Sequence, residues 1–348
     1  MRSYQVTAFG APLQESLSET PKPQGTEVLV KVSACGVCHS DVHLWEGYFD
    51  LGGGKKVDMA RTMTLPHTPG HEIAGEVAAL GPEAEGPELG AHRVIFPWIG
   101  CGACGFCAGG DEHLCMRPRA IGIDVAGGYA DHVLVPHPRY LLDAGAVPDA
   151  GACTLACSGL TAFSALKKVE GLGPSDPLLI IGAGGVGLAA VRLAKTVLGI
   201  APIVADIDAA RRQAALDAGA AQALDPAQEG AARSLAKATG GVAAALDFVG
   251  APPTAQFGLD CLRKGGRVIV VGLFGGALTL ALPLLPFRSI SIGGSYVGSL
   301  GEMGELVALA AKGEARPVPV ETRPLERAQA SLDDLVAGRV VGRVVLTP

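Results

Sequence analysis

Apolar residues between positions 177 and 293 fall into short β-branched runs, separated by longer segments with the spacing of amphipathic helices. The short runs predict strands at 178–181, 202–205, 243–247, 267–271 and 290–292. The segments between them predict helices at 186–198, 208–218, 229–239 and 253–263. Alternating strands and helices are typical of a parallel, doubly wound α/β sheet. Val249, Val271 and Leu273 lie at the C-terminal ends of two of the predicted strands, at the sheet edge where such folds bind ligands.

The N-terminal part of the chain follows another pattern, in which apolar and polar positions alternate between glycine- and proline-rich turns up to about residue 145. The clearest predicted strands there are Gln5–Phe9 and Glu27–Val32. This pattern predicts a mainly antiparallel, barrel-like β domain. The C-terminal segment, Gly301–Pro348, predicts two short helices and a last strand, Gly342–Leu346, which we expect to return to this first domain.

The composition excludes several classes of protein. The chain has 348 residues, of which 49% are hydrophobic and 18% charged, with a net charge of −6 and no basic run that would favour nucleic acid. The N-terminal sequence lacks the apolar core of a signal peptide, so we expect a cytoplasmic protein. The uncharged stretch Val268–Phe287 is long enough to span a membrane. Glycines and prolines interrupt it, which favours buried sheet core over a membrane span.

A glycine motif lies between the first predicted strand and the first predicted helix of the alternating region. Gly182, Gly184 and Gly187 have G-x-G-x-x-G spacing, with Gly185 and Val186 between them. A strand, a glycine turn and a helix N-terminus form an anion site that suits the pyrophosphate of a dinucleotide. Asp206 ends the second strand, where a carboxylate can accept hydrogen bonds from ribose hydroxyls and would repel a 2′-phosphate. The motif therefore predicts NAD, with dual use of NADP as an alternative if Arg211 and Arg212 reach the phosphate.

The chain contains nine cysteines and no export signal, which favours metal ligands or free thiols over disulfides. Four of them, Cys101, Cys104, Cys107 and Cys115, have the C-x2-C-x2-C-x7-C spacing of a zinc knuckle. Four thiolates around zinc leave no open coordination position, so this site is predicted to be structural. An iron–sulfur cluster is the alternative.

A second group of possible metal ligands is dispersed along the sequence. Cys38 lies in Cys38-His39-Ser40-Asp41, and His71 lies in Gly70-His71-Glu72. Thiolate and imidazole are usual zinc ligands, although either residue alone could belong to the core. Cys153 and Cys157 are four residues apart, and one of them could be a third ligand while the other packs in the core.

These motifs, in this order and over essentially the whole chain, resemble the zinc-dependent alcohol dehydrogenases of the medium-chain dehydrogenase/reductase superfamily. The resemblance implies an N-terminal GroES-like β domain followed by a Rossmann domain. It assigns residues 1–158, completed by 294–348, to the catalytic zinc domain, and residues 159–293 to the dinucleotide-binding domain. Compared with many members, the segment between His43 and His71 is longer, and Gly52–Arg61 is the expected insertion that could cap the substrate cleft.

The resemblance also implies the metal site and a proton path. The catalytic zinc ligands would be Cys38, His71 and Cys157, because Cys157-Ser-Gly-Leu-Thr161 matches the family pattern Cys-x-Gly-x-Thr. Glu72 resembles a residue behind the ligands or an alternate ligand, and Asp41 resembles the carboxylate that orients the histidine. Ser40 would contact the substrate oxygen, and His43 would pass the proton to solvent.

Further roles are implied for the cofactor and substrate. Thr161 would pack on the nicotinamide, Arg343 would bind the pyrophosphate, and Arg211 would lie beside the adenosine ribose. His39 occupies the position where many members have an arginine against the pyrophosphate, and Trp98 is expected to line the substrate pocket. The complete set of implied cofactor contacts is His39, Thr161, Gly182, Gly184, Gly185, Val186, Gly187, Asp206, Arg211, Val249, Val271, Leu273 and Arg343.

The expected function is hydride transfer between an alcohol and NAD, with one catalytic and one structural zinc per chain. A polyol or cyclic-alcohol dehydrogenase of the same superfamily is the first alternative. A non-catalytic protein that binds zinc and a dinucleotide is the second, although a proton path would then have no use. The resemblance further implies a homotetramer, or alternatively a dimer, with a small alcohol, aldehyde or ketone as partner and neither nucleic acid nor a membrane.

Overall fold

The computed structural model describes residues 1–61 and 63–348, which divide into two compact units. The first unit consists of Met1–Tyr48, Asp58–Leu160 and Gly298–Pro348. The second consists of Phe49–Val57 and Thr161–Val297. The roles and bounds expected for the two domains stay predictions.

The strands of the described residues are numbered in chain order. They are β1 (Arg2–Gln5), β2 (Gln14–Leu17), β3 (Val28–Gly36), β4 (Tyr48–Gly52), β5 (Lys55–Asp58), β6 (Glu72–Leu80), β7 (His92–Ile95), β8 (His132–Val135), β9 (Leu141–Leu142), β10 (Leu178–Ile181), β11 (Ile203–Ala205), β12 (Gln222–Leu224), β13 (Val242–Asp247), β14 (Leu262–Val270), β15 (Ser291–Gly294), β16 (Val320–Pro324) and β17 (Arg343–Thr347).

The α-helices are numbered in the same way. They are α1 (His39–Glu46), α2 (Gly105–Ala108), α3 (Asp149–Ala152), α4 (Ser158–Lys167), α5 (Gly185–Leu198), α6 (Ala209–Asp217), α7 (Ala231–Thr239), α8 (Pro252–Cys261), α9 (Leu284–Arg288), α10 (Leu300–Ala311) and α11 (Ala328–Val336). Short 3-10 helices cover Met59–Arg61, Glu112–Leu114, Pro138–Tyr140, Cys153–Ala156 and Leu325–Arg327.

A mixed, mainly antiparallel sheet forms the framework of the first unit. Its strand order is β16-β17-β3-β6-β7-β9, and β8 also pairs with β3. The last strand, β17, pairs antiparallel with β3, where Val345 lies opposite Gly36 and Leu346 lies opposite Cys35. The predicted antiparallel N-terminal fold and the return of the C-terminal strand to it are therefore confirmed.

The strand predicted at Gln5–Phe9 is wrong. β1 ends at Gln5, and Val6 pairs only through an isolated bridge with His67. The chain then turns, because the backbone N–H of Ala11 bonds to the carbonyl of Ala8 at 3.2 Å and Gly10 adopts a positive φ of 70°. Residues 6–10 therefore form a bridge and a turn rather than a continued strand.

A six-stranded parallel sheet forms the framework of the second unit. Its strand order is β12-β11-β10-β13-β14-β15, and β10 pairs in parallel with both β11 and β13. The chain adds β11 and β12 on one side of β10 and the later strands on its other side, as in a doubly wound fold. Leu178–Ile181 and most of β13 are fully buried, since helices cover both faces of such a sheet. The predicted α/β fold is confirmed. β12 was not predicted, because its three residues are partly exposed and include Gln222.

The uncharged stretch Val268–Phe287 is only partly sheet core. Val268 and Val271 are buried, as expected. Beyond them the prediction is wrong, since Phe274, Leu282 and Phe287 are 70%, 71% and 77% exposed. No helix among the described residues combines the length and apolar character needed to cross a membrane.

The expected insertion begins within a hairpin. β4 and β5 form a two-stranded sheet, and Met59–Arg61 follow as a 3-10 helix. Gly52, at the turn, has a φ of 79°, and a Cβ on it would lie 2.4 Å from the backbone carbonyl carbon of Gly276. The hairpin therefore packs closely on the segment after β14, within the second unit. Its role at the substrate cleft stays a prediction, and Thr62 lies outside the described residues.

Two glycines of the motif between β10 and α5 should respond differently to a methyl group. A Cβ on Gly187 would lie 1.8 Å from the carbonyl oxygen of Gly182, whereas a Cβ on Gly184 would meet nothing within 4 Å. We expect Gly187→Ala to lower the free energy of unfolding by about 1–3 kcal/mol, because the added methyl group overpacks the turn. The free energy of unfolding of Gly184→Ala should lie within about 0.5 kcal/mol of the wild-type value. Denaturant unfolding of both variants checks this, and equal stabilities would contradict it.

Candidate active site

Three buried side chains from separate elements of the first unit meet in one cluster. Cys38 precedes α1, His71 precedes β6, and Cys157 lies between the 3-10 helix at Cys153–Ala156 and α4. Their ligand atoms all lie within 4.8 Å of one another. The structure thus brings together the three residues that the resemblance named, although they are far apart in sequence.

The charges of this cluster suit a metal ion. The neighbouring Cys157 thiol, followed by the His71 imidazole, lowers the pKa of Cys38 well below its usual value. The proximity of Cys38, together with burial, raises the pKa of Cys157. Nε2 of His71 is buried without a hydrogen-bond partner among the described residues. A thiolate, a second thiol and an unpaired imidazole nitrogen in a buried site fit zinc, which would displace the remaining protons.

Asp41 supports two of the three ligands. It is fully buried, and its Oδ2 accepts hydrogen bonds from the backbone N–H of Cys38 at 2.9 Å and from the hydroxyl of Tyr129 at 3.2 Å. Its Oδ1 lies 3.2 Å from Nδ1 of His71. Burial disfavours a charged imidazole, but the Asp41 carboxylate and Cys38 outweigh it and raise the pKa of His71. Sequence reasoning missed Tyr129, because nothing local to Gly127-Gly128-Tyr129 indicates its distant partner.

Glu72 and Arg343 form a buried ion pair behind the cluster. Glu72 also accepts a hydrogen bond from the backbone N–H of Ser158 at 3.1 Å. Burial raises the pKa of Glu72, and Arg343 opposes that rise. The three-residue ligand group does not include Glu72. Arg343 is 4% exposed and is held by Glu72, and its role at the pyrophosphate stays a prediction.

The alternative ligand, Cys153, lies apart from the cluster. Its thiol is directed to the carbonyl oxygen of Ala150 at 3.4 Å, and burial raises its pKa. Cys157 instead adopts a φ of −129° and a ψ of −73°, outside the helical and strand regions, where the helical path is interrupted. This break places its side chain beside Cys38 rather than on the helix face that it would share with Cys153.

The residues of the predicted proton path lie on α1. Ser40 Oγ lies 3.9 Å from Cys38 Sγ. His43 follows three residues later, on the same helix face, and is partly buried. Burial lowers the pKa of His43, although Glu46, with its Oε2 3.9 Å from Nδ1, acts in the opposite direction. The exposed His39 lies in the first turn of the same helix.

Trp98 is buried beside the ligands. Its ring centroid lies 5.3 Å from that of His71, with an interplanar angle of 56°. Its indole N–H donates a hydrogen bond of 2.9 Å to the carbonyl of Ala156. Its expected role in a substrate pocket stays a prediction.

The four cysteines of the knuckle spacing form a second metal-ligand group, separate from the first. The sulfurs of Cys101, Cys104, Cys107 and Cys115 lie within 4.8 Å of one another. Backbone N–H groups point at the sulfurs, and the one from Ala103 is the main cause that lowers the pKa of Cys101 to about 6. The Cys115 sulfur accepts bonds from the N–H groups of Cys101 and Arg117, each 3.3 Å long. Burial raises the pKa of Cys107 to about 11, so zinc would displace the proton of that thiol, and the four sulfurs fit a closed Cys₄ zinc site.

The glycine motif of the second unit has the geometry of a phosphate loop. Gly182 has a φ of 87°, which favours glycine, and a Cβ on it would lie 2.6 Å from Cγ2 of Val249. α5 begins at Gly185, so its first N–H groups, from Gly185, Val186 and Gly187, lack helical partners. The loop therefore combines a tight turn with free donors at a helix N-terminus, which suits a pyrophosphate.

Asp206 links this loop to the end of β11. Its carboxylate accepts hydrogen bonds from the backbone N–H of Ala183 at 2.7 Å and of Asp208 at 2.9 Å. The guanidinium of Arg212 donates to the carbonyl of Asp206 at 2.8 Å. Arg211 lies in the first turn of α6, where its backbone N–H bonds to Asp208. The acid and both arginines thus gather at one end of the sheet.

Asp247, at the end of β13, holds the neighbouring loops. Its Oδ1 accepts from the N–H groups of Val249 and Gly250, and its Oδ2 accepts from the Thr254 hydroxyl at 2.8 Å. Its backbone carbonyl accepts from the N–H of Val271. The strand-end position of Asp247 was visible in the sequence, but its bonding role was not.

Two other predicted cofactor contacts differ in exposure. Leu273 is exposed, whereas Thr161 is buried within α4. Their roles stay predictions.

Comparisons with known proteins agree with this architecture. The alcohol dehydrogenase GroES-like domain model matches residues 24–146, and the zinc-binding dehydrogenase model matches residues 185–312. An NAD-dependent alcohol dehydrogenase of Sulfurisphaera tokodaii is 36% identical over the full length of both chains. The alcohol dehydrogenase of Aeropyrum pernix covers both chains completely with a TM-score of 0.89 and 29% identity. A cobalt- and zinc-bound alcohol dehydrogenase of Pyrobaculum aerophilum gives a TM-score of 0.86 and 28% identity, covering 100% of this chain and 99% of that one.

The two domains and two sets of metal ligands define a zinc-binding dehydrogenase. The chain belongs to the zinc-dependent alcohol dehydrogenases of the medium-chain dehydrogenase/reductase superfamily.

Serine substitutions at Cys153 and Cys157 should show which of the two cysteines is a metal ligand and which only packs in the core. We expect Cys157→Ser to lose one metal ion per chain, because a hydroxyl is a poor zinc ligand, and to retain the fold. Cys153→Ser is the matched control and should keep the wild-type metal content. Elemental analysis of the purified proteins and their circular dichroism measure the two effects. If Cys153→Ser rather than Cys157→Ser lost the metal, the ligand assignment would be wrong.

Proposed function

We propose that this protein is a zinc-dependent oxidoreductase that transfers a hydride between an alcohol and NAD, reversibly forming an aldehyde or ketone. The buried Cys38–His71–Cys157 cluster is the observation that carries the proposal. Three protein ligands leave the fourth position of a tetrahedral zinc open, as catalytic sites require. The full-length similarity to an NAD-dependent alcohol dehydrogenase of Sulfurisphaera tokodaii supports the same reaction.

We further propose two zinc ions per chain, one at this cluster and one at the four-cysteine site. Bound zinc would supply Lewis-acid polarisation of the substrate oxygen, and bound NAD would supply the hydride acceptor. The four-cysteine site has no open position, so its zinc would stabilise the lobe and take no part in the reaction.

The proposed proton path uses Ser40 and His43. The Ser40 hydroxyl, close to the Cys38 sulfur, would take the proton of the alcohol, and His43 would receive it next. Burial lowers the pKa of His43, which favours the neutral imidazole, the form that can accept a proton. Trp98 would contact the substrate.

The proposed NAD site uses the glycine loop and the edge of the parallel sheet. Asp206 would bind the ribose hydroxyls, and its carboxylate disfavours a 2′-phosphate. Arg212 supports NAD over NADP, because its guanidinium is already bonded to the Asp206 carbonyl and lies 3.7 Å from Asp225. The roles given above to His39, Thr161, Arg211, Val249, Val271, Leu273 and Arg343 belong to the same proposal, as do the predicted domain bounds and the cytoplasmic location.

Reduction of NAD by the purified protein tests this function. We expect the protein to oxidise members of a panel of primary, secondary, aromatic and polyhydroxy alcohols. The absorbance of the reduced nicotinamide measures this turnover. A zinc chelator should abolish turnover, and added zinc should restore it. NADP should be the poorer acceptor.

Three other results would change the assignment. Turnover only of polyols or cyclic alcohols would favour the first alternative. No turnover with both metals bound would favour a non-catalytic binding protein. Full activity of Cys157→Ser would contradict the metal site.

We also propose that the protein is a homo-oligomer that pairs through the edge strand β15. This strand ends the parallel sheet, and the segment from residue 291 to residue 294 carries no charge that would repel a second copy. Ile292 is 40% exposed on it, and α9, just before it, exposes Phe287. A two-fold axis would place two such apolar edges side by side, and the predicted tetramer would contain two of these pairs.

A charged residue on the edge strand should separate the copies. We expect Ile292→Lys to halve the particle mass measured by sedimentation, because a lysine disfavours pairing of strand edges. Leu216→Lys is the matched control, since Leu216 is 41% exposed on α6 of the same unit. It should keep the wild-type mass. An unchanged mass for Ile292→Lys would rule out pairing through β15.

A further inference from the structure

The backbone around Cys157 is held by side chains from elsewhere in the first unit. Cys157 has a φ of −129° and a ψ of −73°, so neither flanking helix fixes its conformation. The peptide group before it contains the Ala156 carbonyl, which accepts a hydrogen bond of 2.9 Å from the indole N–H of Trp98. The peptide group after it carries the Ser158 N–H, which donates to Oε1 of Glu72 at 3.1 Å. Both peptide groups next to this ligand are therefore anchored from outside the turn.

The same two side chains are tied to the ligand His71. The Trp98 ring packs against the imidazole, with centroids 5.3 Å apart. Glu72 follows His71 directly and begins β6. Trp98 and Glu72 thus form two parallel links between the segment that carries His71 and the turn that carries Cys157.

Because Trp98 is buried, losing its hydrogen bond should have a large energetic effect. The residue is 4% exposed. Leaving a buried carbonyl without its donor lowers stability by more than the net contribution of the hydrogen bond itself. Residues that orient metal ligands from behind commonly change metal affinity by 10–100-fold when they are removed.

We propose that Trp98 is a positioning residue for the metal site, which fixes Cys157 through the Ala156 carbonyl and His71 through ring packing. This inference rests on the proposed function, since it takes the metal at this cluster to be zinc. The inference goes beyond the proposed substrate contact of Trp98, because that contact would involve only the face of the ring that meets a substrate. A residue that only lines a pocket would change substrate binding and leave the metal unaffected.

The rate of metal release tests this role. We expect Trp98→Phe, in the full-length zinc protein, to release one of the two zinc ions about ten-fold faster into a chromogenic chelator. The other zinc should leave at the wild-type rate, which also reports that the fold is intact. The cobalt(II)-substituted variant should show a shifted visible absorption spectrum, because the cysteine ligand is less well oriented.

The chain provides a matched control for this substitution. Trp45 is the second of its two tryptophans, and its indole N–H also donates to a backbone carbonyl, that of Ala11, at 2.6 Å. Trp45→Phe removes the same kind of bond away from Ala156. It should release both zinc ions at wild-type rates.

A benzothienylalanine incorporated at position 98 separates the hydrogen bond from the ring. It keeps the bicyclic shape and replaces the N–H by sulfur, so it should accelerate release as Trp98→Phe does. It also replaces that variant if Trp98→Phe does not fold.

Three results would overturn the proposal. Wild-type release from both modified proteins, accompanied only by changes in KM across the alcohol panel, would leave Trp98 as a pocket residue. Fast release from Trp98→Phe alone would overturn the link from the indole N–H through the Ala156 carbonyl to Cys157, and would leave only the packing on His71. A wild-type protein with a single releasable zinc, retained in Cys157→Ser, would instead refute the proposed metal site, and this inference with it.

Discussion

The buried carboxylate of Asp41 is the group on which the Cys38–His71–Cys157 cluster of the first unit depends. It joins three chain segments, since it accepts from the N–H of Cys38, the N–H of Gly70 and the hydroxyl of Tyr129. A fully buried carboxylate is costly unless such donors satisfy it. Once satisfied, it fixes the start of α1 and the imidazole of His71 together. Two ligands separated by 32 intervening residues thus acquire one rigid support, and Cys157 needs only to be brought to them.

Buried carboxylates also fix chain segments in the second unit. Asp206 follows β11 and Asp247 ends β13, the two strands that flank β10 in the parallel sheet. Their side chains accept hydrogen bonds from backbone N–H groups of the loops at this edge. These bonds fix the conformation of the loops, with Gly182 and Gly187 permitting close approach of the chain. The carboxylates thus shape this edge of the sheet.

The sequence was most informative where a local pattern determines the structure. Short apolar runs predicted β10 and β13 within one residue, whereas β14 begins at Leu262, five residues before its predicted start. The cysteine spacing predicted the four-sulfur cluster. It failed where distant contacts decide. Val6–Phe9 looked like a strand, yet a turn at Gly10 prevails, and the apolar stretch after Val271 is exposed rather than buried. The contacts of Asp41 with Tyr129 and of Trp98 with Ala156 join residues that no spacing rule connects.

The path of the chain through the two units limits how the protein can be divided. The hairpin at 49–57 belongs to the second unit, although segments of the first precede and follow it. Glycines on both sides of its contact, Gly52 and Gly276, allow the backbones to touch without side chains between them. A fragment that spans only 161–297 would leave that glycine surface uncovered. The second unit is therefore not a contiguous module, and exchanging it for that of another protein would require two segments to be transferred together.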